Sequence, residues 1–389
     1  MITYSPQQQE ALDKIAMHHG SNWFFLSGYA GTGKTEIAKS LYKGERMITF
    51  KPYDDSDYEV DEMVPRVQYG AYTGKAAAVM RSKGCIGAKT LHQMLYRAKE
   101  DPYTGKISFA FNPNSALNYV DMIVVDECSM CDQNIARDLL WFGKKLIVIG
   151  DPAQLPPVEG AGYFISRDPD HHLSEIHRQA AQNPIIHASM LVRQGQRIES
   201  MGDELRIMSE GRIEDEHLME ADQILVGTNK RRRSINRKVR KLMKLEGIVV
   251  PGEKLVCLRN NHRLGCYNGT TWEVITARES RERIYLPEDE IDCEITVWNL
   301  HIKSDDTKAE TIVTVPEHFF TGTEDLLHWK IKNKFQQFTY GYALTVHKAQ
   351  GSQWNNVLLF DESATFRDKR KEWLYTGLTR AAKNLIVVR

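Results

Sequence analysis

Short and nearly continuous apolar runs mark the first part of the chain. The clearest are residues 23–26, 122–125 and 146–149, with helical stretches between them. Strands buried on both faces have this texture, because helices cover a parallel sheet on its two sides. The pattern predicts an α/β domain over residues 1–170.

Residues 96–111 interrupt this domain with two strand-like flanks around the turn sequence DPYTG. Asp, Pro and Gly in such a cluster favour a tight turn between paired strands. We therefore expect a β-hairpin insert, with bounds near 93–118.

The second half of the chain alternates again and then changes texture. A strand is predicted at Gln223–Val226, followed by a helix. Residues 249–335 hold strand-like pieces at 254–258, 271–275, 294–300 and 311–315, separated by turn residues such as Asn268-Gly269. This favours a small β-barrel or sandwich inserted into a second α/β domain, which comprises 171–248 and 336–389.

Composition excludes several classes of protein. The chain has 389 residues, of which 42% are hydrophobic and 26% are charged, and its net charge is zero. At about 100–200 residues per domain, two or three domains are expected, and disorder is excluded as the main state. The sequence contains no run of about 18 apolar residues, so no membrane span is predicted. The N-terminus lacks the features of a signal peptide, so we expect a cytoplasmic protein.

Net charge and cysteine spacing limit the kinds of binding site that the sequence predicts. Zero net charge argues against coating nucleic acid by bulk attraction, but it allows a local basic groove. Residues 230–244 hold nine Lys or Arg. These cations could form a solvated helix face or a face that binds phosphates, and both interpretations stay open. Cys128 and Cys131 have no second pair at zinc spacing, so we interpret them as reduced thiols.

A phosphate-binding loop is the strongest local motif. Residues 28–35 read GYAGTGKT and lie between an apolar strand and a helical stretch. In this pattern backbone N–H groups wrap phosphates, the lysine (Lys34) reaches the β- and γ-phosphates, and the hydroxyl of Thr35 ligates Mg²⁺.

Two further strand ends carry polar groups. Asp126 and Glu127 follow the apolar run 122–125, where a carboxylate would hold Mg²⁺ and its neighbour would activate water. Gln154 follows the run 146–149 and is a candidate sensor of the γ-phosphate. Together these motifs predict an NTPase but leave open what its hydrolysis drives.

The motifs, taken in order, resemble those of superfamily 1B helicases, the 5′→3′ branch that includes RecD and Dda. Beyond the phosphate loop, the resemblance rests on YSPQQ at 4–8, TGKAA at 73–77, DECSM at 126–130 and GDPAQLPP at 150–157. It continues with LSEIHRQ at 173–179, YGYALTVHKAQG at 340–351 and YTGLTRA at 375–381. Tyr72 stands where the family more often has Pro. The short chain, with no appended domain, is similar to phage and minimal bacterial members.

The resemblance implies two facing RecA-like lobes with ATP between them. The hairpin insert would be a strand-separation pin in the first lobe, and 249–335 would be an SH3-like insert in the second. Single-stranded DNA would cross both lobes.

The implied site residues fall into four sets. Catalytic roles are implied for Lys34, Glu127, Gln154, Arg178 and Arg380. Nucleotide binding is implied for Gln8, Gly28, Gly31, Thr32, Gly33, Lys34, Thr35, Gln350 and Gly351, with Thr35 and Asp126 as Mg²⁺ positions. DNA contacts are implied for Thr73, Lys75, Thr90, His92, Thr345, His347 and Lys348, and pin contacts for Tyr103 and Phe109.

Structural alternatives stay open for several of these residues. Thr90 and His92 are also explained by helix capping, His347 by packing in a core, and Lys348 by a surface charge.

The expected activity is ATP-dependent, 5′→3′ unwinding by a monomer, with ATP and Mg²⁺ as cofactors and single-stranded and forked DNA as partners. Its pathway (replication, recombination or repair) and its protein partners stay open. The alternatives are a translocase or RNA helicase of the same superfamily, and an ATP-gated DNA clamp.

Overall fold

The computed structural model describes residues 4–19, 23–50, 60–100, 107–156, 162–175, 183–261, 264–305 and 308–389. The chain divides into two compact units, Met1–Gln196 and Arg197–Arg389. The helices of the first unit are α1 (Pro6–Met17), α2 (Lys34–Ser40), α3 (Gly74–Ser82), α4 (Leu91–Leu95), α5 (Gln133–Leu140) and α6 (Pro184–Arg193). Its strands are β1 (Phe24–Gly28), β2 (Glu45–Phe50), β3 (Val60–Pro65), β4 (Val67–Ala71), β5 (Lys89–Thr90), β6 (Tyr96–Glu100), β7 (Ile107–Phe111), β8 (Met122–Asp126), β9 (Lys145–Gly150) and β10 (His171–Leu173).

A six-stranded parallel sheet organises the first unit, in the order β10-β1-β9-β8-β4-β5. Alternate residues of its strands enter two separate cores, so that Val124 faces one and Ile123 the other. Helices cover both faces, which is why β1, β8 and β9 read as continuous apolar runs. The three buried parallel strands predicted at these positions are confirmed.

The first unit also contains two separate antiparallel strand pairs. β2 pairs with β3, and β6 pairs with β7 in register from Tyr96↔Phe111 to Glu100↔Ile107. The second pair is the segment for which the sequence predicts a hairpin.

The second unit combines a parallel and an antiparallel sheet. Its helices are α7 (Asp215–Glu220), α8 (Asn229–Leu242), α9 (His318–Thr321), α10 (Trp329–Lys334) and α11 (Arg370–Leu378). Its strands are β11 (Leu205–Met208), β12 (Gln223–Val226), β13 (Lys254–Cys257), β14 (Thr271–Leu286), β15 (Ile291–Ser304), β16 (Glu310–Pro316), β17 (Phe338–Tyr340), β18 (Ala343–Thr345), β19 (Trp354–Phe360) and β20 (Ala381–Val388). The parallel sheet has the order β11-β20-β19-β12-β18, and the antiparallel one has the order β16-β15-β14-β13-β17.

The division between the units lies later in the chain than the sequence suggests. The apolar pattern places a boundary after residue 170, whereas the units divide after Gln196. The reason is that β10 pairs in parallel with β1, with Leu26 opposite His171, and therefore completes the first sheet. A three-residue strand carries too little pattern to be assigned to a sheet from sequence.

Strands β14 and β15 are much longer than the apolar pieces that predict them. Their outer halves are rich in charged residues, which pair across the strands as Arg281–Glu294 and Arg283–Asp292. Only one side of this ribbon is apolar, since Ile284 is buried in the core. Its turn lies at Pro287–Asp289.

None of the helices among the described residues combines the length and the apolar character that crossing a membrane requires. All six cysteines are free thiols.

Candidate functional site

The phosphate-loop motif joins β1 to α2. Gly31 and Gly33 have φ of +82° and +80°, a region in which residues with a Cβ are strained. Gly28 is required for a different reason. A Cβ there would lie 2.7 Å from Thr32 Oγ1 and 2.9 Å from Leu173 Cβ. The loop is thus held close to its own strand, with backbone N–H groups at the start of α2 available to an anion.

Lys34 lies at the first position of α2, and its side chain returns over the loop. Its Nζ donates to the carbonyl oxygens of Gly28 at 2.6 Å and Tyr29 at 2.9 Å. Thr32 is almost fully buried and donates from Oγ1 to Tyr29 O at 2.9 Å. Thr35 follows in the first turn of the helix. The predicted loop residues therefore form one continuous cradle.

Gln8 connects the first helix to this loop. It forms a reciprocal cap with Ser5 at the start of α1, and its Nε2 donates to Thr32 O at 3.4 Å. The side chain is buried, with 3% exposure. The family resemblance implies a nucleotide contact for Gln8, and the structure places its side chain against the loop that would hold the phosphates.

Two carboxylates follow β8 at the same edge of the sheet. Burial raises the pKa of Asp126, whereas a hydrogen bond from Glu127 N, at 2.8 Å, and the positive charge of Lys34 lower it. The Asp126 carboxyl is therefore within electrostatic reach of the loop lysine. Glu127 has φ +55° and ψ +42°, a left-handed conformation that is costly for a side chain of this kind. Such strain is concentrated at functional positions.

Gln154 lies beyond β9, at the turn that begins with Asp151. The Asp151 side chain accepts from Ala153 N at 3.0 Å, and its carbonyl accepts from Gln154 N at 3.2 Å. Gln154 is only 8% exposed, and its Oε1 is buried without a hydrogen-bond partner among the described residues. Because an unpaired buried acceptor is costly, this amide is suited to gaining a partner when a ligand arrives.

Arg193 is a residue of this region that sequence reasoning missed. Its guanidinium carbon lies 3.1 Å from the centre of the Tyr29 ring, so the last turn of α6 packs on the phosphate loop. The same ring also makes an edge-to-face contact with His172, at 4.6 Å between centres. The available signal was an aromatic residue at a variable position of the motif, which is a natural partner for a cation.

The predicted DNA contacts of the first unit all lie at helix starts. Thr73 Oγ1 accepts from Ala76 N at 3.1 Å and caps α3, in which Lys75 is 5% exposed. Thr90 Oγ1 accepts from Gln93 N at 3.2 Å and caps α4 in a reciprocal arrangement. The capping alternative for Thr90 is therefore present in the structure, although its hydroxyl proton can still be donated.

His92, the remaining candidate of this unit, lies beside two tyrosines. Its ring centre is 6.1 Å from that of Tyr72 and 5.4 Å from that of Tyr96.

The predicted DNA contacts of the second unit lie together after β18. Thr345 is buried, and a single helical turn, Val346–Ala349, follows it. Burial lowers the pKa of His347, whose ring centre lies 5.3 Å from that of Phe366, so the packing alternative holds for this residue. Burial and the nearby charge of Arg232 lower the pKa of Lys348 to about 8. Lys348 is thus a partly buried cation rather than a freely solvated one.

Arg380 is buried in the second unit with 5% exposure. It donates from Nε to Thr376 O at 3.0 Å, from one terminal nitrogen to Ser352 O at 3.2 Å, and from the other to Thr379 Oγ1 at 3.1 Å. Ser352 directly follows the other two nucleotide candidates of this unit, Gln350 and Gly351. The structure therefore brings the last two motifs of the chain into contact.

Three predicted residues cannot be placed in full. Arg178 and Tyr103 lie outside the described residues. Phe109 occupies a position in β7 opposite Ala98, but its side chain also lies outside the description.

Two family models match parts of the chain. Residues 3–215 match the AAA domain family, and residues 340–388 match the UvrD-like helicase C-terminal domain. The ATP-dependent RecD2 DNA helicase of Deinococcus radiodurans is 27% identical over 405 residues, which cover 97% of this chain and 48% of the relative. The ATP-dependent DNA helicase Pif1 of Bdellovibrio bacteriovorus is 28% identical over 177 residues, 41% of this chain and 34% of the relative. The chain thus spans about half the length of RecD2.

Solved structures agree in fold along the whole chain. A structure of two coordinating Pif1 helicases at forked double-stranded DNA has a TM-score of 0.56 and 17% identity, covering 100% of this chain and 92% of that one. A Bacteroides Pif1 structure with ADP-AlF3 and single-stranded DNA has a TM-score of 0.53, with the same identity and coverage. The shared architecture is a helicase fold with two RecA-like lobes. The chain therefore belongs to the AAA domain family, and its matches to the RecD2 and Pif1 helicases support the resemblance to superfamily 1B.

Proposed function

We propose that this chain is an ATP-dependent DNA helicase that moves 5′→3′ on single-stranded DNA and unwinds the duplex ahead of it. The proposal is carried by the geometry of the phosphate loop. Lys34 Nζ donates to the carbonyl oxygen of Gly28 within this loop, and the positive charge of Lys34 acts on the Asp126 carboxyl. This arrangement supports nucleotide hydrolysis, and family membership links hydrolysis to work on DNA. The polarity rests on resemblance to the 5′→3′ branch.

Each residue around the phosphate loop has a proposed role in ATP binding or hydrolysis. Lys34 binds the β- and γ-phosphates, Glu127 takes the proton of the attacking water, and Gln154 contacts the γ-phosphate. Gln8 would meet the base of ATP. Arg178 and Arg380 would neutralise charge that develops on the transferred phosphoryl group.

Mg²⁺ fits the donor set at this edge of the first sheet. The hydroxyl of Thr35 and the carboxylate of Asp126 are the hard oxygen ligands that this ion prefers, and they would hold it. When bound, Mg²⁺ supplies neutralisation of phosphate charge. The raised pKa of Asp126 is consistent with a half-buried carboxylate that a cation would stabilise.

The proposed DNA-binding residues lie at the helix starts of the first unit and, in the second unit, at the end of β18 and in the turn that follows it. Thr73, Lys75, Thr90 and His92 would contact the strand from the first unit, and Thr345, His347 and Lys348 from the second. Most of these are small polar or cationic groups, which bind phosphates without reading sequence.

The inserts are proposed to act on the duplex. The β6–β7 hairpin would be the pin, with Tyr103 or Phe109 stacking on the junction base pair, and residues 249–335 would be an SH3-like domain beside the DNA. Tyr103→Ala with Phe109→Ala is expected to reduce unwinding and to preserve DNA-stimulated ATPase. Unchanged unwinding would contradict the pin.

The partners proposed here are single-stranded and forked DNA, and the protein would act as a monomer in the cytoplasm. The DNA partners rest on the family resemblance, and the monomer rests on a proposed mechanism that uses one copy of each site residue.

Strand displacement tests the proposal directly. Two partial duplexes are compared, one with a 5′ single-stranded tail and one with a 3′ tail, in ATP and Mg²⁺. Lys34→Ala serves as the control without hydrolysis. Unwinding from the 5′ tail alone is expected, whereas unwinding from the 3′ tail alone would contradict the branch. ATPase stimulated by DNA without unwinding would favour a translocase, stimulation by RNA alone would favour an RNA helicase, and hydrolysis without stimulation would favour a clamp.

A further inference from the structure

The basic segment 230–244 forms most of α8, and its nine cations have different surroundings. Three of them form ion pairs: Arg231 with Glu210 at 2.7 Å, Lys238 with Asp215 at 2.9 Å and Arg240 with Glu253 at 2.5 Å. Five others are exposed to solvent: Lys230, Arg233, Arg237, Lys241 and Lys244. The ninth, Arg232, is turned inward with 6% exposure.

Arg232 is buried without an anion of its own. Its Nε donates to Asn229 Oδ1 at 3.2 Å, and within the described part of the chain its terminal nitrogens make no hydrogen bond and no ion pair. A guanidinium offers five N–H donors in a rigid fork, so four donors remain available. Burying such a cation is costly unless an anion pairs with it.

The face of α8 that carries Arg232 is fixed against β18. One turn further along the same face, Asn236 accepts from Ala343 N at 2.9 Å and donates to Ala343 O at 3.3 Å. Because α8 runs back along the sheet from the end of β12, Arg232 lies toward the end of β18. The turn Val346–Ala349, which contains Lys348, begins there.

Lys348 is the second cation at this place. The charge of Arg232 is one of the causes that lower the pKa of Lys348, so the two groups are near each other. Glu324 is the carboxylate that acts on both, but it forms no ion pair with either, and its Oε2 is buried without a hydrogen bond among the described residues. Two cations thus face one carboxylate, which leaves an excess of positive charge.

We infer that Arg232 and Lys348 together bind one phosphate of the nucleic-acid backbone. A fork of free N–H donors beside an ammonium matches the oxygens of a phosphodiester, with the fork fixing direction and the lysine adding charge. This inference rests on the proposed function, because it supplies a grip on the translocated strand. Arg232 would then be the member of the basic helix that binds DNA, while the exposed members are solvated.

Salt-dependent binding of single-stranded DNA tests the inference. Fluorescent oligo-dT affinity is measured for the wild type, Arg232→Gln, Lys348→Gln and the double variant over a range of NaCl concentrations. Arg237→Gln is the matched control, since it removes an exposed charge from the same helix. We expect Arg232→Gln to weaken binding about tenfold and to reduce the salt slope by less than about 0.7, the value for one phosphate contact on a single strand, because Lys348 still neutralises the shared phosphate.

The double variant separates one shared phosphate from two. If both side chains bind the same phosphate, only the double variant loses the whole contact, and its salt slope falls by about 0.7. A slope loss of about 1.4 would mean two separate phosphates and would overturn the shared site. Arg232→Lys keeps the charge without the fork, so it is expected to keep the slope and lose affinity. It also provides a folded comparison if the glutamine variant is unstable.

Two further results would overturn the inference, and each has a distinct signature. If the wild type binds DNA but Arg232→Gln and Arg237→Gln have the same affinity and slope as it, Arg232 binds no backbone phosphate. If Arg232→Gln raises the KM for ATP without DNA, or removes competition by inorganic phosphate at constant ionic strength, the ligand is a nucleotide or free phosphate. Failure of the wild type itself to bind DNA would instead contradict the proposed function.

Discussion

The ion pair between Arg240 and Glu253 makes a quantitative prediction about the second unit. The Glu253 side chain is completely buried, Arg240 is 14% exposed, and Arg240 Nε lies 2.5 Å from Glu253 Oε1. Arg240 also donates to Gly247 O at 2.7 Å, and its guanidinium carbon lies 4.5 Å from the centre of the Tyr340 ring. Replacing Arg240 with Met keeps much of the side-chain volume and leaves the carboxylate without its cation.

Protonation of Glu253 limits how much stability is lost when its carboxylate has no cation. Burial already raises the pKa of Glu253, and Arg240 opposes that rise. Without Arg240 the group will bind a proton, which at pH 7 costs about 3.4 kcal/mol, because pH 7 is about 2.5 pH units above an ordinary glutamate pKa of 4.5. The lost hydrogen bond to Gly247 adds about 1 kcal/mol. We therefore expect Arg240→Met to lower the free energy of unfolding by about 3–4 kcal/mol, within the usual range for a broken buried pair.

The sign of the pH dependence follows from the same reasoning. In the variant the folded-state pKa of Glu253 lies above the unfolded value, so the folded protein binds more protons between these two values. Stability of the variant relative to the wild type then rises as pH falls from 7 towards 4.5. At pH 5 the cost of protonation is only about 0.7 kcal/mol, so the total difference should be under about 2 kcal/mol.

Urea unfolding at pH 7 and pH 5, followed by circular dichroism, measures both values. Lys238→Met is the matched control on the same helix, since its pair with Asp215 is exposed and worth at most about 1 kcal/mol. Arg240→Met combined with Glu253→Leu should recover most of the stability, because a buried pair replaced by apolar groups is close to neutral. The reasoning would be refuted if Arg240→Met cost no more than Lys238→Met, or if its cost did not depend on pH.

Three further predictions concern activity. Lys34→Ala should abolish ATP hydrolysis in a phosphate-release assay, because a charge and its phosphate contacts are lost; residual turnover near the wild-type rate would contradict the role of the loop. Arg380→Ala should still bind ATP, measured with a fluorescent analogue, but its turnover should fall about 10³-fold. Normal turnover would show that Arg380 does not neutralise charge on the transferred phosphoryl group. Affinity for single-stranded DNA should fall as pH rises from 7 to 9, because Lys348, with a pKa of about 8 beside Arg232 and Glu324, loses its charge. Lys348→Arg should remove this dependence, and an unchanged pH profile would assign it to another group.

Sequence predicted best those parts of the fold in which burial and local pattern agree. β1, β8 and β9 are buried on both faces, so their apolar runs were unambiguous. The phosphate loop was equally clear, since its glycines are required locally by positive φ and close approach. The outer half of β14–β15 was missed because many of its residues are charged and give no apolar alternation.

Contacts between residues distant in the chain were not readable from the pattern. Arg193 meets Tyr29 only because α6 returns to the edge of the first sheet. In the same way, nothing in the run of basic residues distinguished Arg232 from its eight neighbours. Their different burial is decided by the side of α8 that packs on β18, which Asn236 fixes through Ala343.

The antiparallel sheet of the second unit has a further consequence for how the protein can vary. The chain leaves the parallel sheet through β13 and comes back through β17, and these two strands are direct neighbours, with Leu255 opposite Tyr340. Paired strands are about 4.8 Å apart, a gap that a two-residue turn bridges. All five strands of the parallel sheet lie outside this excursion. The intervening segment is therefore a cassette, whose length and content can be exchanged by recombination or design without changing the register of the sheet that carries it.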